Sequence, residues 1–226
     1  MRVHSGAAGV QVPLKNQMEQ DLFITGTDTN VGKTILSSML CAALDRVYWK
    51  PIQTGIADDL SDTATVICNA GIPESQTIPP TYCFDPPVSP HLAAQWKGVR
   101  IDLNEIKRPQ TGARLIIEGA GGVLVPLNET NLTTDLMKSL DVPVLIASRT
   151  KLGTINHTLL TIQALRAAAV PIKGVVLIGI ENEDNRRAIE HYGQVAVLGR
   201  IPMLDHIHRK ALIDVFSKHF ERSTFE

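Results

Sequence analysis

Residues 21–34 read DLFITGTDTNVGKT, and this stretch decides the fold. Asp21–Thr25 is an apolar run of strand length, and Thr34–Leu44 (TILSSMLCAAL) has helical spacing and good helix formers. Between them lies the turn Gly26-Thr27-Asp28-Thr29-Asn30-Val31-Gly32-Lys33. A strand, a glycine-flanked turn and a helix opening on Gly-Lys-Thr are the setting of a phosphate-binding loop. Backbone N–H groups of the turn and of the helix N-terminus converge on one small, positively biased space that takes an anion. Gly32 lets the backbone approach phosphate oxygens without a Cβ. Lys33 carries a positive charge to the β- and γ-phosphates, and Thr34 offers a hydroxyl to magnesium. Five residues separate Gly26 from Gly32, one more than the four of the usual pattern, and Thr27 stands in the slot of the standard first glycine.

Outward from the loop, apolar runs alternate with helical patterns. Strands are expected over Val47–Lys50, Arg114–Glu118, Val142–Ala147, Val175–Ile180 and Val195–Leu198. Helices are expected over Asp62–Ala70, Leu132–Leu140, Ile155–Ala169, Asp184–Tyr192 and Asp205–Phe220. Ser89 is placed to cap a short helix over His91–Trp96. Five prolines between residues 77 and 90 predict a long irregular loop, and Gly119–Gly122 predicts a tight one. Strands that are continuously apolar are covered on both faces. The pattern is that of an α/β, doubly wound, mostly parallel sheet with helices on both faces, of the P-loop NTPase kind. One such domain is expected over residues 21–226, behind a disordered extension at 1–20.

The chain of 226 residues is 44% hydrophobic and 20% charged, the balance of an ordinary globular domain. A formal net charge of −1 gives no basic excess, so no nucleic-acid partner is expected. No apolar run reaches the roughly 18 residues of a membrane helix, so no membrane partner is expected either. The first twenty residues hold no apolar h-region and do not read as a signal peptide. Cys41, Cys68 and Cys83 are odd in number and widely spaced, which speaks against disulfides or zinc. They are expected to be buried and inert, in a cytoplasmic protein.

Three residues outside the loop have the chemistry to join it. Lys50 ends a strand in WKPIQTG, and open parallel sheets present functional groups at the carboxyl ends of their strands. Glu118 ends the RLIIE strand, where a carboxylate suits a hard cation, and Gly119–Gly122 behind it would let the backbone approach a ligand. Asp62 opens a helix in SDTA, where Ser61 or Asp62 could serve as its cap. His206 and His208 read as surface residues, and His91 as structural or pocket-lining.

The blocks FITGTDTNVGKT, WKPIQTG, SDT, SPH, IIEGAGGVLVPL and KLGTINH occur in collinear order from about Leu22 to about Leu204. This order resembles the dethiobiotin synthetases. The resemblance implies an ATP- and Mg2+-dependent cyclo-ligase that closes the ureido ring of dethiobiotin on 7,8-diaminononanoate with CO2 or bicarbonate. It implies a carbamate, then a carbamic-phosphoric mixed anhydride, with release of ADP and phosphate. By resemblance the catalytic residues are Lys33, Lys50 and Thr29. The nucleotide would be bound by Asn30, Val31, Gly32, Lys33, Thr34, Ile35, Asp62, Glu118, Gly119, Ala120 and Gly121, with Pro202, Met203 and Leu204 at the base. The substrate would meet Thr29, Lys50 and Thr54. Gly153, Thr154, Ile155 and Asn156 would take its carboxylate from the neighbouring subunit of a homodimer. Magnesium would be held by Thr34, Asp62 and Glu118. In two places the sequence departs from the family. Thr54 stands where many members have Ser, which keeps the hydroxyl. Ile178 and Gly179 stand where an Asn-Asp pair often meets adenine, so loose base selectivity is expected.

The main alternative is a regulatory ATPase of the partitioning or cell-division (ParA/MinD) type. Such proteins carry an early lysine in a K-G-G-x-G-K loop, and here that stretch is Thr27-Asp28-Thr29. Ligases of cobyrinate synthesis add a glutaminase domain for which 226 residues leave no room. Intact Lys33, Thr34, Lys50 and Glu118 argue against a scaffold without activity.

Overall fold

The computed structural model describes residues 21–56 and 60–225, so the extension expected at 1–20 lies outside the described residues. The chain runs β1 (Leu22–Gly26), α1 (Lys33–Leu44), β2 (Val47–Trp49), β3 (Ile52–Thr54), α2 (Asp62–Ala70), β4 (Thr77–Ile78), β5 (Tyr82–Phe84) and α3 (Pro90–Trp96). It continues with β6 (Leu115–Gly122), α4 (Thr133–Leu140), β7 (Val144–Arg149), α5 (Thr154–Ala167), β8 (Ile172–Ile178), α6 (Glu183–Gly193), β9 (Val197–Ile201) and α7 (Arg209–His219). Seven strands among the described residues form one sheet in the order β4-β2-β6-β1-β7-β8-β9, and every pairing is parallel. A separate parallel pair, β3-β5, sits beside it.

Period-two alternation sends neighbouring strand residues to opposite faces, and both faces are covered. Phe23, Trp49, Ile117, Ile146 and Leu177 pack in one core with Met137 of α4 and Leu165 of α5. Leu22, Ile24, Tyr48, Ile116 and Leu145 pack in the other with Leu36 and Met39 of α1 and Phe216 of α7. At the base of the sheet, buried Asp21 accepts a bond from Leu115 N and pairs with Arg108 at 2.6 Å.

Several expectations are corrected. Gly119–Gly122 is not a loop: β6 runs through it, with Gly122 still in register with Gly26. The proline-rich stretch holds two short strands, β4 and β5, because a parallel partner supplies their ladder bonds. The last helix starts at Arg209 rather than Asp205, with His208 as its N-cap, and His206 and His208 are exposed as expected. Only Cys41 is buried; Cys68 and Cys83 are exposed.

Candidate functional site

β1 stops at Gly26, where a Cβ would lie 2.5 Å from Val31, so only glycine lets the loop fold back on itself. The loop is tied to the sheet by Thr27 N donating to Ala147 O at 3.1 Å. Gly32 precedes α1 at φ 108°, a left-handed conformation that favours glycine, with no side chain capping the helix. The first N–H groups of α1 therefore have no side-chain cap to satisfy them, which leaves them available to an anion.

Four chain segments meet beyond the loop in a cavity of about 440 Å³. Thr29, Asn30, Gly32, Lys33, Thr34 and Ile35 form one wall; Lys50, Thr54, Asp62, Glu118, Ala120 and Gly121 form the other. Thr34 Oγ1 lies 2.7 Å from Asp62 Oδ1 and 2.9 Å from Glu118 Oε1. Lys50 Nζ pairs with Asp62 at 2.9 Å and with Glu118 at 3.3 Å. Lys33 Nζ donates to the Asp28 carbonyl at 3.0 Å.

The charges condition one another. Burial works against the Lys50 ammonium, but Glu118 and Asp62 more than offset it and hold its pKa above the ordinary lysine value. Burial likewise opposes the Asp62 charge, and Lys50 overcomes it, so the carboxyl titrates below its usual range. Lys33 has a carbonyl rather than a carboxylate as its near partner; burial and then Lys50 lower its pKa to about 8, against the pull of Glu118, Asp62 and Asp28.

Sequence reasoning missed the residues that aim Glu118. Ser37 Oγ donates to Glu118 Oε2 at 2.7 Å and Tyr48 OH to the same oxygen at 3.2 Å, leaving Oε1 turned to Thr34 and Lys50. Helical spacing could have found Ser37, three residues after Thr34 and thus on nearly the same face. Strand spacing could have found Tyr48, two residues before Lys50. Gln53 Oε1 accepts from Asp62 N at 3.2 Å, and Ser61, not Asp62, caps α2 through Ala64 N.

A second cavity of about 600 Å³ adjoins the first across Asn30 and Gly32. Val31, Arg149, Ile178, Gly179, Ile180, Asn182 and Met203 are among its walls. Three of the expected nucleotide-binding positions line neither cavity. Gly119 packs its backbone on the Phe23 ring and offers its carbonyl to Lys50 at 3.4 Å, Leu204 is half-buried against the core, and Pro202 stands beside Met203. Gly153–Asn156 opens α5 away from both cavities of the same chain. There the Thr154 side chain is buried on Ser148 and the Arg149 carbonyl, Ile155 packs on the core, and Asn156 is exposed.

A parallel sheet with this loop at the end of its central strand defines an α/β domain of the P-loop ATPase class. A solved ParA family ATPase from Chlorobium tepidum TLS shares the fold at TM-score 0.51 and 15% identity, over 87% of this chain and 90% of that one. Residues 20–211 match the AAA domain family. The "ATP-dependent dethiobiotin synthetase BioD" of Rhodopseudomonas palustris (strain HaA2) is 43% identical over 92% of this chain and 97% of its own length. That of Brucella melitensis biotype 2 is 42% identical over 92% and 98%. The "Biotin biosynthesis bifunctional protein BioCD" of Bordetella avium is 46% identical over 87% of this chain, which spans 42% of that longer protein. The chain belongs to the dethiobiotin synthetase family, ATP-dependent ligases of biotin biosynthesis.

Proposed function

We propose that this chain closes the ureido ring of dethiobiotin on 7,8-diaminononanoate, with CO2 and ATP as co-substrates. The observation that carries the reading is the meeting of two lysines, Lys33 and Lys50, with Thr34, Asp62 and Glu118 around one cavity beside the loop. One amine of the diamine takes up CO2 as a carbamate and loses a proton. A carbamate oxygen attacks the γ-phosphorus and ADP leaves. The second amine then attacks the carbamoyl carbon of the mixed anhydride, and phosphate departs as the ring closes. Negative charge moves among carbamate, γ-phosphate and leaving oxygens, and fixed cations aimed at that path lower the barrier. Lys33 meets it from the loop and Lys50 from the end of β2. Thr29 and Thr54 offer hydroxyls to the diamine and carbamate from facing walls of the cavity.

The donor set fits magnesium. Thr34, Asp62 and Glu118 converge as oxygen ligands, and the described residues hold no cluster of three or more His, Cys, Asp or Glu that would form a complete cage. A hard cation held by one or two carboxylates and the substrate phosphates is the usual magnesium arrangement. When bound, the ion would supply positive charge that neutralises the phosphates.

A shallow groove of about 320 Å³, lined by Thr29, Val123, Leu124, Val125, His157 and Leu160, supplies apolar surface for the alkyl chain of the diamine. The base is assigned to the larger cavity, whose polar groups are mostly spent internally. Gly179 N–H bonds Ile201 O, Gly179 O accepts from Arg200 at 2.9 Å, Glu181 pairs with Arg200 at 3.3 Å, and the Asn182 side-chain oxygen caps α6. Apolar walls that stack any base without reading its edge give weak discrimination among nucleotides.

The test is phosphate release from purified protein given the diamine, bicarbonate and MgATP. Release is expected only with the diamine present. Diamine-independent hydrolysis stimulated by DNA or membrane would overturn this reading in favour of a regulatory ATPase.

A further inference from the structure

Arg149 ends β7 at the border of the two cavities, and the reading so far gives it no work. Its guanidinium reaches the outer limb of the phosphate loop, where Nη2 donates to Thr29 O at 2.7 Å and lies 3.4 Å from Asp28 Oδ2. Asp28 in turn holds Thr29 through its backbone N–H at 2.7 Å. The other end of Arg149 is tied as firmly. Its carbonyl accepts the Thr154 hydroxyl, and Ser148 Oγ bridges Thr154 at 2.9 Å and Thr158 at 2.7 Å, fixing the start of α5. One residue thus links the limb carrying Thr29 to the helix opening Gly153–Asn156.

We propose that Arg149 is a positioning residue that ties Thr29 to the end of β7, setting where the diamine lies relative to the phosphate loop. This rests on the ring-closing reading above, in which Thr29 meets the diamine. The pair is exposed on both sides, at 43% and 57% of its side-chain surfaces, so it contributes little to folding stability. What it supplies is geometry: the loop limb has few other anchors, and reacting groups misplaced by about 1 Å lose rate up to roughly 100-fold. The bond to Thr29 O is charge-assisted and directional, which a long lysine imitates with one donor but without the planar fork.

The experiment uses the full chain with Arg149→Ala, Arg149→Lys and Asp28→Asn, read three ways. With the diamine varied at saturating MgATP, Arg149→Ala is expected to lower kcat/KM for the diamine by roughly 10- to 100-fold. Its melting temperature is expected to stay at the wild-type value. Arg149→Lys recovers part of the loss, and Asp28→Asn combined with Arg149→Ala costs less than the two losses multiplied. Amide exchange over residues 27–33 in the free protein is expected to quicken in Arg149→Ala. Unchanged diamine kinetics, a loss confined to nucleotide affinity, or unchanged exchange would each overturn the proposal. Exchange reads the tie without turnover. Quickened exchange in Arg149→Ala, with no diamine-dependent phosphate release from the wild type, would sink the ring-closing reading and leave the Arg149 tie standing.

Discussion

A lysine ammonium enclosed by protein is stable there only when its charge is paired. Lys50 is 4% exposed and lies between Asp62 and Glu118, with Glu118 itself 1% exposed and fixed from behind by Ser37 and Tyr48. Lys50→Ala leaves two carboxylates facing each other across an empty space. Two outcomes are expected. Turnover falls by about 100- to 1,000-fold or more, because a cation aimed at the moving charge is gone. Metal-free protein loses about 3 kcal/mol in urea denaturation, the cost of breaking a buried pair. Added magnesium is expected to restore part of that stability, since another cation then meets the same oxygens. Near-normal turnover would remove Lys50 from the mechanism. Lys50 and Glu118 were legible because strand ends in a parallel sheet are functional places. Ser37 and Tyr48 were not singled out, because a serine in a helix and a tyrosine in a strand carry no signal until their neighbours are known.

At the scale of elements, the loop and β8 are built against each other. A Cβ on Gly32 would lie 2.6 Å from Ile178 Cδ1, and the residue sits at φ 108°. Gly32→Ala therefore combines backbone strain with a clash, a cost of about 2–4 kcal/mol. Chemical denaturation is expected to show that loss, and equilibrium titration to show loss of MgATP binding. Wild-type affinity with wild-type stability would mean that the loop relaxes without cost. The element boundaries show where local reading stops. Asp62–Ala70 was legible to the residue, because Ser61 and Gly71 punctuate it. Gly119–Gly122 was misread as a loop because glycine is a poor strand former, and its pairing with β1 is a contact distant in sequence. The short strands β4 and β5 were hidden among prolines for the same reason.

At the scale of the whole molecule, the Gly153–Asn156 opening of α5 stands away from the cavity of its own chain. Leu124, Leu152 and Leu160 are exposed at 59%, 105% and 55%, an apolar margin around that helix start. In the homodimer we propose, each site takes its loop from one subunit and Asn156 from the other. Lys50→Ala and Asn156→Ala homodimers are each expected to be nearly inactive. Dissociated, mixed and reassociated, they are expected to recover up to about one quarter of wild-type turnover, because half the dimers are mixed and each has one intact site. Absence of recovery in verified mixed dimers would show that each chain builds its site alone. The described residues hold no helix long and apolar enough to cross a membrane.

Residues 26–34 determined by themselves the glycine turn and the helix opening at the end of β1, the setting of a phosphate-binding loop, because such a turn is made by near neighbours. The alternation of apolar runs and helical patterns determined the layered α/β architecture in the same local way. Only the tertiary structure decided what faces the loop. The strand order places β6 between β1 and β2, so Glu118 and Lys50 arrive at one wall from residues far apart in the chain. It also decided that Arg149 reaches across from β7 to Thr29, an arrangement that no spacing along the chain encodes. Side chains brought together by sheet order are set by the packing of both cores, and that is a property of the whole fold.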